Sequence, residues 1–554
     1  MPRVDLGPVG IKGLNSDTPA QKLDYENFSE GLNMRPFDGS LQGVFDFRSP
    51  TVKIDGALGG RNIYAFNQWT PSGSNEFNAV YLWDQNTDGQ DLEIQIITDI
   101  TDPTNDYAVN GASFGVSGLD DNDRFNIDLF AFNEIIIVNN GSATPREVRI
   151  VTSQDVTNNN DLTPYLGRFA AFPLTGWIDG LTAERLIPYN NRIIALNANG
   201  TYTSSSQLGN VSLLWSTPIT SIGTLTGVDF VPQTINSAGD DFATESVGEI
   251  LDAGQLGEYL IVYKEDAVLQ YQDTGDPLYL VGRLLFEDDG LYNPGCFKDI
   301  GDGRHFVVGN YGIYLHDGGP NKQNISRGRI ERALYSDVHP LGRNRAFTFR
   351  HSRDKEVWVC YSSASFYGNG TGSGCDRAFV YNYQNDSWYK RDLPTTLTHG
   401  IRGITESEIN GQVYIYAWGY NGIKQLWNEQ DDVALRRYLP DGYVEFLHSD
   451  LGEPGITKDV RQVYPICNDT IGIEITSSNI LNSPANFTSI QEVRGKGFRT
   501  YDPSVSYKED YRLNGRYYNF RLEMTSENNG QANESPRNPT ITGMGIDVST
   551  GGKR

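Results

Sequence analysis

The sequence predicts an all-β chain whose main body is a β-propeller of six or seven blades. Three observations carry this: short apolar strands recur, tight polar turns join them in pairs, and the pairs return at blade-like spacing. The strands are runs such as Glu134 to Val138, Arg192 to Leu196, Tyr259 to Tyr263, His305 to Val308, Glu356 to Cys360 and Gln412 to Tyr416. Each is β-branched or aromatic and bounded by Gly, Asn or Asp, the composition of a pleated, buried segment. The turns follow at once. Lys264-Glu265-Asp266 leads to Ala267 to Tyr271, Gly309-Asn310-Tyr311-Gly312 to Ile313 to Leu315, and Gly419-Tyr420-Asn421-Gly422 to Ile423 to Trp427. Modules of this kind start near Asn62, Phe125, Leu186, Ile250, Phe297, Phe347 and Ile401, roughly 45 to 65 residues apart, near the period of propeller blades.

Composition agrees. The chain of 554 residues carries 59 Gly and 25 Pro for turns, and 31 Tyr against only 4 Met, which favours aromatic-packed strands over helices. Helical periodicity is scarce; its best instance is Asp432 to Arg437, and Thr152 to Asn160 reads as a loop. The hairpin rhythm fails at both ends. Residues 1–55 read as an N-terminal arm, 56–434 as the propeller, and 435–554 as an additional platform-like β-domain formed by the C-terminal region and closed by the arm. In that region Ile471-Gly-Ile-Glu-Ile475 and Tyr517 to Glu523 alternate apolar and polar positions.

A formal charge of -25 argues against a protein that grips phosphates or an anionic lipid surface. Cys296, Cys360, Cys375 and Cys467 are far apart and read as free thiols, with neither a zinc ribbon nor a disulfide framework. No apolar leader and no membrane-length apolar run is present, so synthesis in a cytoplasm is expected.

The search for chemistry returns no catalytic set, and no enzyme and no cofactor are expected. Gly111-Ala-Ser-Phe-Gly115 matches a nucleophile elbow in letters but sits in a loop-like stretch. Six histidines (His305, His316, His339, His351, His399, His448) show no metal-binding spacing and read as isolated surface or turn residues. Glu287-Asp288-Asp289 and Asp120-Asp121-Asn122-Asp123 read as polar turns. One pattern points to a metal: Asp84, Asn86 and Asp88, followed by Gly89, space oxygen ligands as a structural calcium loop does, although Gln95 stands where a bidentate acid is required. A plain polar hairpin turn is the competing reading.

Three ordered segments carry a resemblance. The central one reads Arg343-Asn-Arg345, Lys355-Glu-Val-Trp-Val-Cys360, Phe379-Val-Tyr-Asn-Tyr383, Asn385-Asp-Ser-Trp388 and Arg391-Asp-Leu-Pro394. The N-terminal one is Asn27 to Asn33 with Gly43-Val-Phe45. The C-terminal one is Asn514 to Glu523, then Thr542 to Asp547 and Gly551-Gly-Lys-Arg554. Together they resemble the nozzle, or tail-stabilisation, proteins of short-tailed bacteriophages (podoviruses).

That resemblance implies a structural protein of the virion tail, made in the host cytoplasm. It implies self-association into a ring, typically a homohexamer, below the portal and an adaptor (head-to-tail connector) protein. A tail fibre or needle protein would dock on it, and viral DNA would pass through the lumen without specific binding. No catalytic residue is carried over. The rival reading is a carbohydrate-binding or carbohydrate-cleaving propeller for host recognition, with Trp358, Trp388, Trp418 and Trp427 as candidate stacking residues; a core role accounts for them better. A kelch- or WD-like adaptor is a third.

Overall fold

The structure, a computed structural model, describes residues 3–48, 62–69, 78–84, 92–97, 106–108, 126–130, 135–159, 163, 169–203, 206–221, 224–233, 237–275, 280–367, 374–394, 399–409, 412–419, 422–426, 441–451, 455–468, 471–479, 496–501, 509–524 and 540–550. Among them, seven antiparallel meanders follow one another between Asn62 and Leu426. Their first strands are Asn62–Trp69, Asn126–Phe130, Thr182–Tyr189, Ile250–Leu256, Phe297–Asp299, Phe347–His351 and Ile401–Ile409. These lie at the module starts read from the sequence.

The first strands touch their neighbours in chain order: first with second, second with third, third with fourth, fifth with sixth, sixth with seventh. The fourth and fifth sheets meet through Asp252, whose carboxylate accepts from the Gly295 amide at 2.8 Å. The seventh touches the first, which closes the ring. The chain is therefore a β-propeller, with first strands at the axis. This packing explains the apolar runs. A middle strand is covered on both faces by adjacent blades, so Ile135–Asn139 is buried at every position and Tyr259–Lys264 at all but its first. Outer strands such as Lys322–Asn324 have no such cover and are polar.

Two further sheets form the platform. One runs Glu509–Gly515, Lys458–Cys467, Thr540–Thr550, Ser40–Gly43, Met34–Phe37, with Arg3–Asp5 also on Thr540–Thr550. The other runs Lys496–Tyr501, Ile471–Ser478, Tyr517–Met524, Gly442–Ser449, Glu30–Leu32. Both join C-terminal strands to strands of the arm. The Tyr511 hydroxyl, donating to the Ile473 carbonyl at 2.9 Å, ties the two sheets together.

The arm does more than the sequence reading assigned to it, because it also completes the propeller. Phe47–Arg48 supplies the outermost strand of the seventh sheet, with Phe47 opposite Leu426 and Arg48 opposite Gln425. Gly13–Leu14 pairs in parallel with the last strand of the sixth sheet at Trp388, and Asn27–Phe28 pairs beside it. An N-terminal outer strand ties the end of the ring back to its beginning, so the ring cannot open without unzipping it. At Gly13 the backbone has φ +86°, and an added Cβ would run into the Trp388 carbonyl oxygen. Gly13→Ala is therefore expected to cost about 1–3 kcal/mol in urea unfolding, from the left-handed backbone alone or more with the clash. An unchanged midpoint would show that the arm is not seated there.

One local reading changes, and a helix the sequence did not signal appears. Thr152 to Asn160 contains the helix Ser153–Asn158, started by a capping box in which the Thr152 side chain accepts from the Asp155 amide and Asp155 reaches back to the Thr152 amide. A second helix, Glu331–Asp337, links the fifth and sixth sheets. Asp432 to Arg437 lies outside the described residues. Among those that are described, no helix is long and apolar enough to cross a membrane.

Candidate functional site

Among the described residues, a buried group of ionisable side chains joins the arm to the sixth sheet. In the sixth sheet's first hairpin, His351 lies directly opposite Glu356, and the turn between them carries Asp354, with Lys355 at φ +57°. Their ligand-type atoms lie within 4.8 Å of one another, all buried. Arg35, on the platform strand Met34–Phe37, reaches into this group. Its Nη1 is 2.7 Å from Asp354 Oδ2 and 3.6 Å from Glu356 Oε1.

Glu356 is also held from its other side. Glu356 Oε2 accepts from Trp358 Nε1 at 3.0 Å and from the Tyr389 hydroxyl at 2.9 Å. His351 Nδ1 is 3.6 Å from Asp354 Oδ2. Burial alone would push both carboxyls up; instead, His351 and Arg35 hold Asp354 and Glu356 below the usual carboxylate range. Burial would likewise lower Arg35, but the charge of Glu356 beside it holds its pKa up. Two carboxylates and a histidine could in principle bind a metal ion. Here the guanidinium already stands where the cation would sit, and the arrangement is an ion-paired joint.

Around it the arm is fastened by hydrogen bonds. The Asn33 amide donates to the Lys390 carbonyl at 2.9 Å, and the Asp392 amide donates to Asn33 Oδ1 at 2.8 Å. Arg391 Nη2 donates to the Phe45 carbonyl at 2.8 Å, while its guanidinium lies 4.1 Å from the Trp358 ring centre. Asn33 Nδ2 donates to the Asp441 carbonyl at 3.0 Å, which brings in the start of the C-terminal region.

The candidate residues read from the sequence fall as follows. Asp84 ends the strand Asn78–Asp84, while Asn86 and Asp88 lie outside the described residues, as do Gly111 to Gly115, Asp120 to Asp123 and Trp427. Trp358 and Trp388 are core residues, 1% and 0% exposed, which removes them as sugar-stacking surfaces. Asp288 and Asp289 form a turn: Asp288 pairs with Lys322 at 2.9 Å, and Asp289 accepts from the Asn310 amide at 2.7 Å. All four cysteines are free.

The histidines correct the sequence reading: of the five whose side chains are described, three are buried and none of these is isolated. His305 and His316 face each other across the Gly309–Gly312 turn. The Tyr263 hydroxyl lies 2.7 Å from His305 Nδ1 and 2.7 Å from His316 Nε2. His305 Nε2 is 3.1 Å from the Gln255 carbonyl and so donates to it, leaving Nδ1 to accept from Tyr263. The Gly318 amide donates to His316 Nδ1 at 3.2 Å, so His316 Nε2 carries the proton and donates to Tyr263. Each partner is satisfied with both rings neutral. Equal spacing of the two residues from the turn was the available signal.

Burial, and then the neighbouring His305, push the His316 pKa down to about 3; burial also lowers His305. Unfolding frees both rings to titrate near 6.5. Stability is therefore complete above about pH 6.5 and falls as pH drops toward 3, because the unfolded state binds the extra protons. Urea midpoints between pH 7 and 4 should decline, and His316→Gln should decline less steeply; parallel profiles would exclude the network as the cause.

No family model and no curated protein matches the chain. Among solved structures it is similar to Saccharomyces cerevisiae Sqt1, at 8% identity and TM-score 0.34, covering 70% of this chain and 98% of that one. It is also similar to the AfRom2 CNH domain, at 8% identity and TM-score 0.35, covering 66% and 96%.

Proposed function

We propose that the chain is a non-enzymatic structural protein of a short-tailed bacteriophage tail, of the nozzle type, assembled as a ring that prolongs the DNA-ejection channel. The observation that supports this is where the three segments of the resemblance meet. Asn33 and Phe45 of the N-terminal segment bond to Asp392, Lys390 and Arg391 of the central one. Glu30–Leu32 of the first and Tyr517–Met524 of the last flank the same platform strand, Gly442–Ser449. Residues remote in sequence thus serve one purpose, fixing propeller to platform, and a joint of that kind suits a part that transmits load.

On this reading the seven meanders are seven blades, and the acidic surface keeps DNA from adhering as it passes. A ring lumen lined mainly by Lys and Arg would contradict the second point. Native mass spectrometry of the purified protein, with electron microscopy of particles containing it, tests the proposal. Rings of about six copies, or density at the tail, are expected. A protein that stays monomeric and is missing from particles would overturn it, and specific sugar binding or release would move the assignment to the carbohydrate reading.

A further inference from the structure

Where the first strands converge on the propeller axis there is a half-open cavity of about 360 Å³. Among the described residues its charged lining is Arg185, Lys298, Arg345 and Arg402 against Asp128 and Glu184. In a chain of net charge -25 this reversal is local and specific. Arg185, Lys298 and Arg402 come from the third, fifth and seventh sheets and Arg345 from the turn that leads into the sixth, so ring closure assembles them.

Their local settings differ. Arg185 Nη1 pairs with Asp252 Oδ2 at 2.9 Å, and Asp252, 1% exposed, also accepts from the Gly295 amide. Asp252 is thereby matched, while Arg185 Nε is buried with no hydrogen-bond partner. The Arg402 guanidinium lies 4.1 Å from the Tyr64 ring centre, which fixes its position at the wall. Among the described residues, no hydrogen bond or ion pair within 4 Å offsets the charge of Lys298. Burial, and next the charge of Arg185, lower its pKa, with Asp252 and Asp128 opposing. A cation desolvated beside another cation is unfavourable unless an anion joins them.

We infer that the axial cavity is a binding site for a small oxyanion, a phosphate or carboxylate group held by Lys298 and Arg185, with Arg345 and Arg402 also lining it. The volume lies at the lower end of small-ligand pockets, about 300–1,000 Å³, enough for a phosphate or a small organic acid and too little for a polymer. An anion there ties the blades together at the axis. Occupancy is therefore expected to stabilise the ring of sheets, as any ligand of the folded state does.

The probes are inorganic phosphate and acetate, at constant ionic strength, with calorimetry and thermal unfolding as readouts. Phosphate is expected to bind with a Kd of about 1 mM or tighter and to raise the Tm, and Lys298→Gln to weaken binding about tenfold or more. A larger response to acetate would identify the carboxylate as the ligand group. Phosphate also stabilises proteins by exclusion from their surface, so an equal Tm rise in Lys298→Gln would overturn the site. Independently of any variant, crystals of the wild-type protein soaked in selenate should show anomalous density beside Lys298 Nζ. A cavity without it, together with no heat of phosphate binding, would also overturn the inference.

Discussion

Replacing Arg35 with Met is expected to destabilise the protein by about 3–5 kcal/mol at neutral pH, because it leaves Asp354 and Glu356 buried as two carboxylates without their cation. Met keeps much of the apolar stem of Arg35 but loses the guanidinium that lies 4.3 Å from the Phe37 ring centre, so the loss reports the cation more than the stem. The sign with pH follows from the two carboxyls. Both are held low in the folded protein, so the stability they contribute is present above the ordinary carboxylate range and lost as pH falls through their folded values. Removing Arg35 removes that contribution, and the gap between wild type and Arg35→Met should narrow in acid. Adding Asp354→Asn and Glu356→Gln to Arg35→Met should recover part of the loss. Urea unfolding at pH 7 and pH 4 is the measurement. A loss under about 1 kcal/mol would mean the joint is wetter than its geometry indicates.

The second large effect has the opposite sign. On the platform, the cross-strand register sets Glu30 opposite Glu445, Glu445 opposite Arg521, and Glu474 opposite Arg521 on its other side. Glu523 lies two residues along from Arg521 and pairs with it at 2.5 Å, while Arg521 Nη1 is 3.1 Å from Glu445 Oε1. Four carboxylates thus cluster around one arginine, which pairs with Glu445 and Glu523. Burial first, then Glu30, push Glu445 up to about 7; Arg521 pulls it down, and Glu474 and Glu523 push it further up.

A raised acid means that the folded state holds the proton more tightly than the unfolded one. Its favourable share is complete below about pH 4.5 and is lost as pH rises through about 7. Glu445→Gln is therefore expected to stabilise the protein by about 1–3 kcal/mol at pH 8 and to do little at pH 4.5. Denaturation profiles of the two proteins across this range give the answer, and a variant weaker than wild type at pH 8 would contradict it. Because Glu30 belongs to the arm, hydrogen exchange of Glu30–Leu32 should slow in the variant.

What the sequence discloses about this chain follows from local pattern. Runs such as Tyr259 to Tyr263, turns such as Gly309 to Gly312, and their return from Asn62 to Ile401 determine an all-β chain of repeated hairpins. Each needs only neighbouring residues: side-chain branching selects the extended backbone, and glycine and asparagine close the turn. Even the meeting of His305 with His316 is implied by their equal distance from the turn between them.

The joint is a different matter. Arg35 and Asp354 lie 319 residues apart, and no period or spacing connects them. Only ring closure by Phe47–Arg48, and the seating of Gly13 on Trp388, carry the arm to the sixth sheet and bring that arginine to those acids. The axial cavity has the same origin. Arg185, Lys298, Arg345 and Arg402 are unremarkable in their own segments and form a basic site because the blades converge on one axis. Local chemistry thus determined the strands and turns, while the long-range closure of the chain decided which charges face one another away from water, where their pairing governs stability and binding.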